Sequence, residues 1–212
     1  MGDPNIFLFV PNLIGYTRVI LAIVSLYYMP IDPLIASILY LLSGLLDAFD
    51  GYAARALDQG TMFGAVLDMV TDRCATTCLL MVLCQFYPKY AIVFQLLVAL
   101  DISSHWIQMY SSMIHGETSH KVTDLSANPF LRFYYMRPVL FTFCASNELF
   151  FAALYLIHFS YGPVMLGYGL WILLAVVSFP LSFLKQLISV IQLVAACRNL
   201  GSLDVAKRNR PK

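Results

Sequence analysis

Six long apolar stretches, roughly 10–29, 34–57, 62–86, 90–112, 139–160 and 165–197, alternate along this chain with short polar breaks. Each approaches or exceeds the roughly 20 residues that an α-helix needs to cross the hydrocarbon of a bilayer. The breaks carry turn formers: Pro30 with Asp32-Pro33, Asp58-Gln59-Gly60, Pro88, and Tyr161-Gly162-Pro163. The pattern predicts an all-α polytopic membrane protein with six transmembrane helices, built as one membrane domain over 1–212. Residues 115–138 form the only long polar connection, and no internal repeat or low-complexity tract is evident. The sixth stretch is longer than a span and contains Pro180, which predicts a kink or an extension beyond the membrane. Residues 198–212 read as a mobile basic tail.

Composition agrees with the pattern. The chain has 212 residues, 60% of them hydrophobic and only 12% charged; a soluble domain carries about 25% charged residues. Met1 to Phe7 lacks a basic leader region and no small-residue cleavage site follows, so the first helix is expected to stay. A net charge of +1 gives no reason to expect a nucleic-acid partner. Cys74, Cys78, Cys84, Cys144 and Cys197 lack the second ligand pair of a zinc site and read as small packing residues.

Basic residues set the orientation. With six spans, Arg55, Lys121, Arg132, Arg137, Arg198, Lys207, Arg208, Arg210 and Lys212 share one side, and Lys89 stands alone on the other. The positive-inside bias then puts both termini and the 58–61 turn in the cytosol. Lys185, inside the sixth stretch, is expected to snorkel towards the headgroups.

Against this background four acids stand out: Asp47 and Asp50 in the second stretch, Asp68 and Asp72 in the third. A carboxylate inside a membrane segment marks a functional site by default. Spacings of three and four place each pair on one helical face. The pairs are nearly equidistant from Asp58-Gln59-Gly60, each about 15 Å away at the helical rise. A helical hairpin about this turn, with Thr61 as the next N-cap, brings both pairs to one height and opens them towards the cytosolic side. Four converging carboxylates suit hard divalent cations, Mg²⁺ or Mn²⁺. Arg18, Arg55 and Arg73 are too few to neutralise them. Gly51, Ala53, Ala54 and Gly64 should let the two helices approach and leave room for a flat ligand. Arg55, one turn beyond Asp50, is placed to fork onto a phosphate.

The run reads D-x2-D-G-x2-A-R-x8-G-x3-D-x3-D from Asp47 to Asp72, and it resembles the signature of the CDP-alcohol phosphatidyltransferase family at every fixed position. Pro11-Asn12 through Thr17-Arg18 is similar to that family's first-helix entry. The resemblance implies a homodimer of six-helix protomers and a two-metal site held by Asp47, Asp50, Asp68 and Asp72, with Asp72 also the base. Gly51, Arg55, Thr61 and Gly64 would line the CDP site.

Further stretches resemble the branch of the family that uses CDP-diacylglycerol as donor and myo-inositol as acceptor, in the endoplasmic reticulum membrane. They are Asp101-Ile-Ser-Ser-His105-Trp106, Ser119-His-Lys121, Asn128 to Arg132, Arg137-Pro138 and Asn147-Glu148. The polar residues Asp101, Ser103, Ser104, His105 and Gln108 suit either a polyol or interhelical hydrogen bonds, and His105 and Glu148 read first as packing or structural partners. Arg132 and Arg137 read first as cytosolic anchors.

Three other readings compete. Siblings making phosphatidylglycerol phosphate, choline or ethanolamine phospholipids would share the signature. A membrane prenyltransferase also sets paired aspartates over pyrophosphate, but lacks the Asp-Gly-x2-Ala-Arg run. A divalent-cation or proton-coupled transporter would spread its acids through the bilayer and repeat its halves, which this chain does not.

Overall fold

The computed structural model describes residues 5–118, 134, 136–165 and 167–209. Six long helices are present among them: α1 (Val10–Tyr28), α2 (Pro33–Ala56), α3 (Met62–Phe86), α4 (Ala91–Thr118), α5 (Arg137–Phe159) and α6 (Leu170–Arg208). Five of the six are long and apolar enough to cross a membrane, which makes this a polytopic membrane protein. The remaining one is α3, with Asp68, Asp72 and Arg73 among its 25 residues. Single 3₁₀ turns at Ile6–Leu8 and Pro88–Tyr90 precede α1 and α4.

The helix starts follow from local chemistry. The Asp32 side chain accepts from the Leu34 and Ile35 amides, and Pro33 occupies the first helical position, where a missing N–H costs nothing. Thr61 caps α3 by accepting from the Gly64 amide at 2.9 Å, as its position predicted. Between them α2 ends in a Schellman arrangement: the Gln59 amide donates back to the Ala54 carbonyl, and Asp58 takes the left-handed conformation (φ 53°). Aspartate tolerates that region better than most residues. Gly60, the apparent turn-former in the sequence, does not have positive φ.

Two compact units divide the chain, Met1–Phe86 and Tyr87–Lys212. In the first, α1 is the central element and packs on both α2 and α3. Its buried face is small or polar: Asn12, Gly15, Arg18, Ala22 and Ser25. The buried positions of α2 are Ala36, Ser43 and Asp50, seven apart, while Leu34, Ile38, Leu41, Leu45, Phe49 and Tyr52 point outward. Such inversion, with small residues inside and large apolar ones outside, is the packing expected where lipid surrounds the helices. Ser25 Oγ donates to the Ala36 carbonyl at 2.7 Å and Ser43 Oγ to the Arg18 carbonyl at 3.0 Å, fastening α1 to α2.

In the second unit α6 is central and packs on α4 and α5. It too buries small and polar residues, Ala175, Ser178, Ser182, Lys185 and Ser189. Ile188 joins Tyr134, Leu140 and Phe143 in an apolar cluster. The helix runs through Pro180 and on to Arg208, so the expected extension is present and the expected mobile tail is helical at least that far. Alanines at 195, 196 and 206 favour helix there, and Lys207 and Arg208 in the last turn oppose the negative end of its dipole. Before α6, a two-residue antiparallel ladder pairs β1 (Val164–Met165) with β2 (Tyr168–Gly169). This hairpin delays the start of α6 from the expected 165 to 170. None of the five cysteines forms a disulfide.

Candidate active site

The four acids do meet, and they meet on an arginine. Asp47 and Asp50 come from α2, Asp68 and Asp72 from α3, and Arg18 of α1 stands between them. Its Nη1 donates to Asp50 Oδ2 at 2.6 Å and Asp68 Oδ1 at 2.7 Å. Its Nη2 lies 2.6 Å from both Asp47 Oδ1 and Asp72 Oδ1. Each terminal nitrogen thus bridges the two acid-bearing helices. The Arg18 Nε finds no acceptor among the described residues. Arg73 reaches only the edge of the cluster, 3.9 Å from Asp72 Oδ2.

Beside this cluster a cleft opens. From α2 it takes Asp50 and Gly51, from the turn Gln59 and Thr61, from α3 Gly64 and Asp68, and from α1 Asn12 and Gly15. Of the residues that the sequence pointed to, Gly51, Thr61 and Gly64 therefore share one wall space. Arg55 stands exposed on α2, its Nη1 3.4 Å from where a Cβ on Gly51 would sit.

One expectation needs correction. The glycines were expected to bring α2 and α3 together directly, but the close approach runs through α1. A Cβ on Gly64 would lie 2.7 Å from Asn12 Oδ1, and one on Gly15 would lie 2.8 Å from Leu67 Cδ2. The physical reason is the arginine: two acid pairs facing each other directly would repel, and the helix that carries their counter-charge has to enter between them.

Two more α1 contacts brace the site. Gln59 Oε1 accepts from the Val10 amide at 3.0 Å, satisfying one of the orphan donors at the start of α1. Asn12 Nδ2 donates to the Ile6 carbonyl at 2.6 Å. Sequence reasoning treated Arg18 as one possible ion-pair partner and as part of the family's first-helix entry, and did not single out Gln59. For Arg18 a signal was present: a base in mid-helix with no acid on its own helix has to find its partners on another.

The donor set fits a hard divalent cation. Carboxylate oxygens from Asp47, Asp50 and Asp68 lie within 4.8 Å of one another. Each of the four acids gives Arg18 one oxygen, and the guanidinium cancels one negative charge of the four. Three remain, in an all-oxygen setting that suits Mg²⁺, Mn²⁺ or Ca²⁺ rather than a soft metal.

The second unit holds a separate polar network. Lys185, 3% exposed, lies 3.5 Å from Asp101 Oδ1. It therefore pairs across helices and does not snorkel. His105 Nδ1 is 2.8 Å from the Asp101 carbonyl. Ser104 Oγ donates to that same carbonyl, Ser103 to Ala99, and Ser182 and Gln186 both donate to Asn147 Oδ1. Asn147 Nδ2 donates to Glu148 Oε1 at 3.4 Å. The polar face of α4 is largely engaged in bonds within the unit. Lys121, Arg132 and the Asn128-to-Arg132 stretch lie outside the described residues, as does the Arg137 side chain.

Comparison with known proteins identifies the family. A family model, CDP-alcohol phosphatidyltransferase, matches residues 8–159, which include the whole aspartate run. The chain is 58% identical over 213 residues to the CDP-diacylglycerol--inositol 3-phosphatidyltransferase of Homo sapiens, covering 100% of both. It is 52% identical to the protein of that name in Schizosaccharomyces pombe, covering 99% of this chain and 96% of the relative. For Saccharomyces cerevisiae the figures are 45%, 95% and 90%. No solved structure matches. With the full aspartate run inside the matched segment and its acids gathered round one arginine, the chain belongs to the CDP-alcohol phosphatidyltransferase family.

Proposed function

We propose that this chain makes phosphatidylinositol: it transfers the phosphatidyl group of CDP-diacylglycerol to a hydroxyl of myo-inositol and releases CMP. The observation that carries this reading is the convergence of Asp47, Asp50, Asp68 and Asp72 beside a glycine-walled cleft. It occurs in a chain similar over its whole length to inositol phosphatidyltransferases. The acceptor rests on that similarity, since the signature itself fixes only the donor chemistry.

The four aspartates would hold two divalent cations, Mg²⁺ or Mn²⁺. When bound, these supply neutralising charge for the donor pyrophosphate and for departing CMP. The chain's own residues do the rest. Gly51 and Gly64 leave the cleft wall without side chains, so that a flat cytidine and its phosphates approach the backbone. Thr61 Oγ, already accepting from Gly64, keeps its proton to donate. Arg55 turns in from the exposed face to fork onto a phosphate oxygen. The inositol oxygen then attacks the phosphorus that carries diacylglycerol. Its new P–O bond forms as the bond to CMP breaks, CMP leaves with the electron pair, and the hydroxyl proton passes to Asp72.

The same reading makes α3 the sixth span and places both termini and the cleft on the cytosolic side. The support is the excess of basic residues at one set of chain ends and the embedding of α3's acids against α1 and α2. It also takes the whole of 1–212 as one catalytic membrane domain, since the family match runs across both compact units. Homodimerisation and residence in the endoplasmic reticulum membrane complete this reading, both supported by the family resemblance alone.

The test is lipid product formation by purified protein in detergent, given CDP-diacylglycerol and labelled myo-inositol, with Mg²⁺ or Mn²⁺ against chelator. Metal-dependent phosphatidylinositol and CMP are expected, and Asp72→Asn should abolish both while still binding CDP-diacylglycerol. Wild-type turnover by Asp72→Asn removes its role as base. CMP release with glycerol phosphate or serine, but none with inositol, overturns the acceptor.

A further inference from the structure

We propose that Arg18 is a fixed counter-charge beneath the carboxylates, kept in place when divalent cations bind, and that its charge holds the donor. This rests on the two-cation reading above.

Position supports retention. The Arg18 side chain is 2% exposed and that of Asp50 11%, whereas those of Asp47, Asp68 and Asp72 are 43%, 46% and 37% exposed. The guanidinium thus lies with Asp50 at the buried end of the cluster, and the other three carboxylates reach towards its open end. It takes one oxygen from each acid, Nη1 joining Asp50 to Asp68 and Nη2 joining Asp47 to Asp72. Its root on α1 is also held in place: α1 is fastened by Ser43 at the Arg18 carbonyl, by Gln59 at Val10, and by the close approach of Gly64 to Asn12.

Charge gives the fixed arginine a task. Four carboxylates with two divalent cations are neutral; with Arg18 beneath, the loaded centre carries one positive charge. That surplus attracts the donor's pyrophosphate and CMP. A guanidinium acting merely as a metal-free placeholder, displaced on loading, would contribute nothing to either.

The experiment compares wild type, Arg18→Met and Arg18→Lys, purified and kept in Mn²⁺ so that the acids are never left uncompensated. Mn²⁺ binding is read by electron paramagnetic resonance, CMP binding by calorimetry at saturating Mn²⁺, and turnover with CDP-diacylglycerol and inositol. Arg18→Met should bind Mn²⁺ at least as tightly as wild type, because a repelling charge is gone. Its CMP affinity should fall by about tenfold or more, as loss of a unit charge at short range through a partly shielded medium implies. Saturating Mn²⁺ should not restore turnover. Arg18→Lys keeps the charge without the four-way fork, so its CMP affinity should stay within about threefold of wild type while turnover drops by about tenfold or more.

Wild-type CMP affinity and turnover in Arg18→Met at saturating Mn²⁺ would make Arg18 a displaced placeholder and overturn the proposal. If Arg18→Met fails to fold, Arg18→Lys decides: CMP affinity lost in the lysine variant refutes the charge argument. Absence of Mn²⁺ binding by wild type is a different failure, since it removes the cation site itself.

Discussion

Gly51 and Gly64 face the same cleft but are glycine for different reasons. A Cβ at 64 meets Asn12 Oδ1 at 2.7 Å and Thr61 Oγ1 at 3.0 Å, both fixed by their own bonds. Gly64→Ala should therefore destabilise the protein by about 1–3 kcal/mol, the usual cost of forcing an atom into a packed site. Its melting temperature should fall with or without ligand. A Cβ at 51 meets only the flexible end of Arg55 at 3.4 Å. Gly51→Ala should leave the melting temperature unchanged or slightly raised, since alanine favours helix, and should raise the donor KM. Arg55→Ala should also act mainly on donor KM, and an unchanged value removes it from the phosphate site. The aspartates and both glycines were legible in the sequence because charge and missing side chains are costly in lipid. Arg18's central place was not, because a sequence shows a base's need for partners without showing which helix supplies them.

At the scale of elements, helix ends were readable to within a few residues wherever a cap or proline marks them, as at Asp32-Pro33 and Thr61. They were less readable where nothing local intervenes: α4 continues to Thr118 and α6 to Arg208. The β1–β2 hairpin went unseen because four paired residues leave no period to detect. Lys185 shows the same gap between sequence and packing. It was expected to reach the headgroups, yet α6 extends 23 residues past it to Arg208, and α4 offers Asp101 close at hand. Lys185→Met leaves that carboxylate without its lysine inside the unit and should cost about 3–5 kcal/mol. Adding Asp101→Asn should recover much of the loss, because a neutral pair needs no counter-charge. Thermal unfolding of the single and double variants in one detergent checks this; equal melting temperatures would show the ion pair contributes nothing.

For the whole molecule the sequence conveyed class, through hydropathy, and offers orientation as an expectation from the placing of basic residues. It did not convey which helix each unit is built around, because centrality depends on packing of small residues that hydropathy hardly registers. Here α1 and α6 are the central helices of their units. The orientation is open to a direct check. A tag appended after Lys212 should be removed by protease added to sealed endoplasmic-reticulum vesicles, and a tag inserted beside Lys89 should survive. The reverse result would turn the cleft to the lumen.

The inverted packing also governs how such a chain drifts over evolutionary time. An outward Leu41 or Phe49 needs only to remain greasy, so isoleucine, valine or methionine serve about as well. An inward Ala36, Ser43 or Gly15 has no larger substitute, because its neighbour is backbone or a side chain already in contact. The replacements separating this chain from its human and yeast relatives should therefore gather on the lipid side of each helix. The slowly changing positions should trace the small-residue seams that hold the arginine under its four acids.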